Sequence, residues 1–305
     1  MQKLVELKAR MRTVANIQGV ARTMATVASA KLSRTRRRAA GMREYAVRVE
    51  QTIERQIAIV RAQGQDPAAL SPFFAERAPV KRITLLHIAG DRGMCGSYNV
   101  AINRLALGTI KDLQAAGKEV AVIAKGAKGE RLLARKAPGT VFLTETWPRA
   151  GVVQEEVTAL RDLLVERFLT READEVWCTY TRYYSPIRRE QCFVRLLPLG
   201  AVEEGGRAAP PALEAERWSY EPSLADILTE LVEGFISARV EDLLLESYAS
   251  EQGARMIAME EATERAGRAL AECRVLFNRL RREVITTDLL GVLFAAQVTK
   301  GEEGM

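Results

Sequence analysis

Two long stretches without proline constrain this chain most. Residues 1–63 contain no proline and only two glycines, Gly19 and Gly41, and proline is again absent from Leu224 to Val298. In the first stretch apolar residues recur at Leu4, Leu7, Met11, Val14, Ile17, Met24 and Val27. Steps of three, four or two full turns are the period of a helix, not of a strand. About 60 helical residues would span roughly 90 Å at a rise of 1.5 Å each. No small globular domain flanks that length, so such a helix requires a partner helix. In the second stretch Leu270, Cys273, Phe277, Leu280 and Val284 are spaced three, four, three, four, which is a heptad seam. One arrangement lays this helix along a globular core. The better fit winds it on the N-terminal helix as an antiparallel coiled coil. An aspartate replacing Phe277 would then bury an unpaired charge and cost several kcal/mol.

The residues between the helices change character. Gly64-Gln-Asp-Pro67 is the first stop signal, followed by Ser71-Pro72 and Ala78-Pro79. Ile83–Ile88 reads as a buried strand ended by Gly90, and Val120–Ala124 as a second one ended by Lys125-Gly126. Ala101–Gln114 reads as a helix, and Val152–Phe168 carries a helical apolar face at Val153, Val157, Leu160, Leu164 and Phe168. Glu175–Tyr180 and Cys192–Leu197 read as further strands. Strands alternating with helices predict an α/β layer with a mainly parallel, Rossmann-like sheet. Gly200–Pro211 is rich in Gly, Pro, Ala and Glu and reads as a loop. Helix resumes after Pro222, with Ser223 as N-cap and Asp226 in the first turn, where it favours the helix dipole. The expected plan is a coiled-coil helix at 1–65, an α/β domain at 78–200, a linker at 201–220 and a second coiled-coil helix at 221–305.

Composition excludes several classes. Hydrophobic residues make up 48% of the 305, enough for a core, so intrinsic disorder is out. The one histidine, His87, and four scattered cysteines (Cys95, Cys178, Cys192, Cys273) leave no zinc ribbon and no C-x-x-C redox pair. The cysteines read as reduced thiols in a reducing compartment. No run of 18 apolar residues suggests a membrane span, and the charged N-terminus lacks the apolar centre of a signal peptide. A soluble, intracellular chain is expected. Charge is lopsided: the first 50 residues hold twelve basic residues against three acidic, while the whole chain nets only +6. Such an arm meets something negative: nucleic acid, a membrane surface or an acidic protein face.

Candidate chemistry is sparse. Gly90-Asp-Arg-Gly93-Met-Cys-Gly96 lies between a strand and a helix, where backbone N–H groups can cradle phosphate. It fits neither G-x-x-x-x-G-K-[ST] nor G-x-G-x-x-G, so a tight structural turn is the stronger reading. The same holds for Lys125-Gly-Ala-Lys-Gly129. Cys95 stands beside Arg92 and a helix start, as a low-pKa thiol would, but with no nearby base it reads as an inert small residue. His87 reads as a core histidine. Lys31-Leu-Ser-Arg34-Thr-Arg36-Arg-Arg38 could bind nucleic acid or anionic lipid in a free coiled-coil adaptor, although its charges wrap around the helix and only Tyr45 is nearby for stacking. Arg279, Arg281 and Arg282 form either a solvated face or a contact with an acidic partner. The carboxylate pairs Glu155-Glu156, Glu203-Glu204 and Glu260-Glu261 fall on amphipathic helices or loops, with no apolar pocket to raise a pKa. Neither a catalytic residue nor a cofactor or metal site is expected.

Four stretches, in order over nearly the whole chain, resemble the gamma subunit of F-type ATP synthases. They are Val14-Ala-Asn-Ile-Gln-Gly-Val-Ala-Arg-Thr-Met24 with Val27-Ala-Ser-Ala-Lys31-Leu; Asp91-Arg-Gly-Met-Cys-Gly96 with Asn99; Tyr220-Glu-Pro-Ser223; and Ala249-Ser-Glu-Gln-Gly-Ala-Arg-Met256 through Thr263, continued by Asn278–Leu290. The resemblance implies a central rotor shaft: a coiled coil inside a ring of three alpha and three beta subunits, on an α/β foot that binds epsilon and the membrane c-ring. Catalysis would belong to beta, and nucleic acid would not be a partner. It implies ring contacts for Arg22, Met24, Arg281, Arg282, Thr286 and Asp288, and a structural turn in the foot at Asp91, Arg92, Gly93, Cys95 and Gly96. Several positions depart from the family pattern. Arg22 replaces Lys, Thr26 replaces Met, Arg282 replaces Gln and Asp288 replaces Glu. After Leu290 the family's Glu and Gly-Gly become Gly291 and Leu293-Phe294. These departures suggest a divergent branch. The motif's closeness to Met1 argues against a transit peptide and for a bacterial protein, peripheral on the cytoplasmic face of the inner membrane.

Overall fold

The computed structural model describes residues 2–199 and 224–302. The expected linker at 201–220, the Tyr220–Ser223 motif and its N-cap lie outside the described residues. Helix α1 runs Gln2–Ala62, and Gly64 beyond it adopts a positive φ of 71°. The short helix α2 (Pro67–Leu70) is capped by Asp66, whose side chain accepts from the Ala68 N–H. Then follow β1 (Arg82–Ile88), α3 (Tyr98–Ala115), β2 (Glu119–Lys125), α4 (Ala127–Lys136), β3 (Val141–Glu145), α5 (Gln154–Leu169), β4 (Glu175–Tyr183), β5 (Arg189–Leu197) and α6 (Leu224–Glu302). The chain divides into two units: residues 1–27 with 256–305, and residues 28–255.

In the first unit the starting residues of α1 lie against the later part of α6. The Gln18 side chain donates to the Thr263 carbonyl at 3.3 Å and lies against Gly267. Ala21, Ala25 and Met259 form a small buried cluster with Met24, Ala258 and Ala262 around it. Rising numbers on α1 meet falling numbers on α6, so the helices are antiparallel. On α1 the covered positions include Leu4, Leu7, Met11, Val14, Gln18, Ala21 and Ala25, in steps of three and four, with Met24 partly covered beside them. This corrects the expected apolar face. Ile17 and Val27 are half-exposed, at 55% and 50%. The 3.5-residue period of a supercoiled pair carries the seam through Gln18 and the alanines, and the larger side chains fall outside it. On α6 the seam continues through Leu270 and Cys273, both buried, to Phe277, Leu280 and Val284, which are only partly covered. An aspartate at Phe277 therefore keeps access to water, and its cost is smaller than a buried charge would incur.

The second unit is a five-stranded sheet of order β3-β2-β1-β4-β5, parallel except for the antiparallel pair β4–β5. One face, with Leu85, Val120 and Val122, packs with Ile110 of α3 and Leu133 of α4. The other face carries Leu86, Ile88, Ile123, Val176 and Cys178. It packs on α5 (Val157, Leu160, Leu164, Phe168), on α1 (Val49, Ile53, Ile57) and on α6 (Val232, Ile236, Val240, Leu244). Sequence periodicity missed α4 and β3. The Lys125–Gly129 stretch is not a freestanding turn but the end of β2 and the start of α4, a helix with Glu130 in its first turn and Arg135 and Lys136 in its last. β3 is an edge strand whose residues are half-covered or exposed, so it lacks the apolar run that marks the buried strands.

Candidate functional site

The Gly90–Gly96 turn joins the carboxyl end of β1 to α3. Its centre is the Asp91 carboxylate. One oxygen accepts the Ala127 N–H at 2.9 Å and the other the Trp147 N–H at 2.8 Å. The first of these satisfies an orphan donor in the opening turn of α4, so this chain's own carboxylate holds the place an anionic ligand would take. Gly126, just before α4, has φ +102°, and a Cβ on it would lie 2.2 Å from the Ala89 carbonyl oxygen. Only glycine fits there. Asn99 closes the turn from the other side. Its Oδ1 accepts the Gly90 N–H at 2.9 Å and its Nδ2 donates to the Arg92 carbonyl at 3.1 Å. Cys95 is buried with Tyr98 and Ala254. Burial, then the Glu251 charge, pushes its thiol pKa up. That is the reverse of a reactive thiolate. Arg92, Gly93 and Gly96 are exposed on the outside of the turn.

In open α/β sheets a ligand crevice forms beyond the carboxyl ends of the strands where the strand order reverses. Here the order reverses between β1 and β4, and α6 covers that edge. The Tyr98 hydroxyl donates to the Ser247 carbonyl at 3.2 Å, the Thr181 N–H donates to Ser247 Oγ at 3.2 Å, and Ser250 Oγ donates to the Thr181 carbonyl at 3.1 Å. The Tyr248 ring lies 5.3 Å from that of Trp147. Glu251 pairs with Arg255 at 2.5 Å, and Arg255 reaches the Gly93 carbonyl at 3.5 Å. The spot where an enzyme of this fold would place its substrate is a joint between sheet and helix.

The remaining polar candidates are likewise internal. His87 is fully buried; its Nδ1 lies 2.9 Å from Thr179 Oγ1 and its Nε2 2.8 Å from Asn103 Oδ1. Burial lowers its pKa to about 4, so it is neutral at ordinary pH. Lys125 is also fully buried. It donates to the Thr146 carbonyl at 2.8 Å and pairs with Glu156 and, at 3.6 Å, with Glu145. Burial lowers its pKa to about 8, against the opposing charges of Glu145 and Asp91. The Glu156 side chain is only 9% exposed, which corrects the expectation that nothing encloses the Glu155-Glu156 pair. No hydrophobic period signals that pair; a lone lysine ending an apolar strand is the one hint. Among the described residues no group of three or more His, Cys, Asp or Glu is placed to hold a metal, and no helix is long and apolar enough to cross a membrane.

The basic cluster at 31–38 is partly committed within the second unit. Arg38 pairs with Glu241 at 2.6 Å and donates to the Val152 carbonyl at 2.6 Å. Arg36 lies 5.6 Å from the Tyr183 ring centre, and Arg37 donates to Ser33 Oγ at 3.2 Å. In the first unit Arg22 is exposed, while Met24 is partly buried in the seam. Arg281, Arg282, Thr286 and Asp288 are all exposed on α6. Arg282 and Thr286 bond only within their own helix, to the Asn278 and Arg282 carbonyls. Since Gly267 lies beside Gln18, the antiparallel step brings Phe277 level with Lys8 and Val284 level with the first residues of α1. From Ile285 to Glu302, α6 runs on without α1 beside it. That overhang spans about 27 Å at a rise of 1.5 Å per residue, and it exposes Leu289 (59%), Val292 (67%) and Leu293 (61%).

A family model described as "ATP synthase" matches residues 3–297. The ATP synthase gamma chain of a Geobacter species is 30% identical over 99% of this chain and 100% of its own length. That of Moorella thermoacetica is 32% identical over 98% of this chain and 100% of its own. The central stalk in the Tetrahymena thermophila mitochondrial ATP synthase shares the fold with a TM-score of 0.58 at 23% identity, covering 80% of this chain and 99% of that one. A chain of the Euglena gracilis mitochondrial ATP synthase has a TM-score of 0.62 at 15% identity, covering 100% and 97%.

Proposed function

The chain belongs to the ATP synthase gamma-chain family, and from that premise we propose that its exposed helix end turns inside a ring of three alpha and three beta subunits. The protein is the central stalk of an F-type ATP synthase and is not itself catalytic; catalysis lies on the beta subunits of the complex, and ion transport runs through the complex as a whole. The adaptor reading of residues 31–38 is not supported.

One observation carries the proposal. The last part of α6 leaves its partner helix and exposes Leu289, Leu290, Val292 and Leu293 in succession. An apolar helix end of this kind needs a covering surface supplied from outside the chain. Arg22, Met24, Arg281, Arg282, Thr286 and Asp288 are proposed ring contacts on the same unit. Exposed charge pairs contribute only about 0–1 kcal/mol each. Contacts that weak can be exchanged as the shaft passes three equivalent partners. The Asp91–Gly96 turn is proposed as the structural clamp of the foot, which takes up epsilon and the c-ring. The proposed domains follow: a shaft from residues 1–65 and 221–305, a foot from 78–200 and a linker at 201–220. The proposed location is the cytoplasmic face of a bacterial inner membrane.

The test is affinity purification of this chain from detergent-solubilised native membranes followed by native mass spectrometry. One copy together with three alpha and three beta subunits, epsilon and a c-ring is the expected result. Recovery without alpha and beta would overturn the ring reading.

A further inference from the structure

A concavity of 780 Å³ in the α/β unit lies between α3 and α4, on their outer side. Its walls hold five cations: Arg104 and Lys111 on α3, and Lys128, Arg131 and Arg135 on α4. No carboxylate lines it, although Asp112 and Glu130 belong to the same helices. None of the five side chains makes an ion pair among the described residues, while arginines elsewhere in this unit pair with Glu241, Glu246, Asp174 and Glu251. Five unpaired cations around one groove repel each other and lower the stability of the unit. The groove's apolar lining is Leu107, Leu132 and the exposed Val100. Gly108 opens it further. This glycine lies in the middle of α3, and a Cβ there would meet nothing within 4 Å. Alanine would fit and would favour the helix by about 0.5–1 kcal/mol. The glycine leaves a gap where a neighbouring element can come close.

We propose that this groove is a docking site for an acidic amphipathic helix of a partner protein. The shape selects a helix. Two adjacent helices make a channel parallel to both, and a third helix packs into such a channel at an axial distance of about 8–10 Å. The charges select its flanks. Arg104 and Lys111 are seven residues apart, as are Lys128 and Arg135, so each wall carries cations about 10 Å apart. Carboxylates at matching two-turn intervals on either side of an apolar stripe meet both walls while the stripe covers the apolar lining. A single phosphate group cannot span cations spread this widely, a flat lipid surface cannot enter the channel, and no aromatic side chain lines it for base stacking.

The test uses the full chain and a fluorescent designed helix of about 20 residues with a leucine stripe and glutamate flanks, followed by anisotropy. The same helix with glutamine flanks should bind at least about tenfold more weakly. Arg131→Glu with Arg135→Glu, and separately Gly108→Trp, should each weaken the glutamate helix by about tenfold or more, with circular dichroism and thermal unfolding close to the parent. Equal binding of the two peptides, or binding indifferent to these substitutions, overturns the proposal. So does a result in which the glutamate helix fails to bind while phosphatidylglycerol vesicles bind and are lost with the same two arginines. A photo-crosslinker at Leu132 in the purified assembly gives a second reading: attachment to an acidic helical segment supports the assignment, and attachment to lipid or to a basic segment overturns it.

Discussion

Gly90 and Glu251 are packed so closely that a methyl group on the glycine would lie 2.9 Å from the glutamate carboxyl carbon and from its Oε1. Glu251 has little freedom to yield. It is 4% exposed, bonded to Arg255, and its pKa is raised by burial, with Arg255 opposing. Gly90→Ala is therefore expected to destabilise the α/β unit by about 1–3 kcal/mol, the usual cost of overpacking. Gly108→Ala, where a Cβ meets nothing, should stabilise by about 0.5–1 kcal/mol. Urea unfolding of the two variants beside the parent distinguishes them; equal and small effects would show that the joint between β1 and α6 is not tight.

The buried Lys125–Glu156 pair gives a second expectation. Removing one partner of a buried pair leaves the other uncompensated, at about 3–5 kcal/mol, while replacing both with apolar groups is often nearly neutral. Lys125→Met, which strands the buried Glu156, should be strongly destabilising; Glu156→Leu, which leaves Lys125 with Glu145 and the Thr146 carbonyl, should cost less; and the double variant should cost much less than their sum. A coupling of at least about 1 kcal/mol is expected in the four-member cycle. Trp147, whose ring lies 5.3 Å from Lys125 Nζ, offers a local fluorescence signal. Strict additivity would mean that the two charges do not depend on each other.

His87 makes stability depend on pH in one direction. Its pKa is about 4 in the folded chain against an ordinary value of 6.5, so between those limits the unfolded state binds more protons. The stability of the α/β unit should rise as pH rises through that window, and up to about 3 kcal/mol should be lost on acidification from 6.5 to 4. Glu246 and Glu251, whose pKa values burial raises, act oppositely: their protonation on acidification favours the fold. The measurement is therefore a difference between parent and His87→Gln, which keeps polar groups toward Thr179 and Asn103 but does not titrate. The gap between the two curves should narrow as pH falls. A constant gap would sink the assignment.

Legibility in the sequence followed the strength of local pattern. The strands at the sheet centre, such as Ile83–Ile88 and Val120–Ala124, stood out as apolar runs because both faces are covered. α4 has ten residues, opens on Gly126 and includes Gly129, so its short period was hidden behind what reads as a basic glycine turn. β3 has one neighbour and little burial, and leaves no signal. The motif around Asp91 was visible as residues, but not its purpose, since the two N–H groups it accepts come from positions 36 and 56 residues later in the chain. The Lys125–Glu156 pair was illegible for the same reason: charge pairing across 31 residues has no period.

The seam of the antiparallel helices yields the last expectation. Apolarity alone would choose Ile17 and Val27 over Ala25, yet Ala25 is 8% exposed and clustered with Ala21 and Met259, while the larger two are half in solvent. The alanines let the helix axes approach, and that closeness leaves no room for a longer side chain. Ala25→Leu, although it adds apolar area, should destabilise the helix pair by about 1–3 kcal/mol through overpacking. Ile17→Ala removes far more apolar volume but should cost no more than about 0.5 kcal/mol, because the site is exposed. Thermal unfolding followed by circular dichroism at 222 nm, a wavelength that reports helix loss, ranks the two. If Ile17→Ala proved the costlier change, the seam would run along the face that apolarity alone selects, and the register drawn through Gln18 and Gly267 would be wrong.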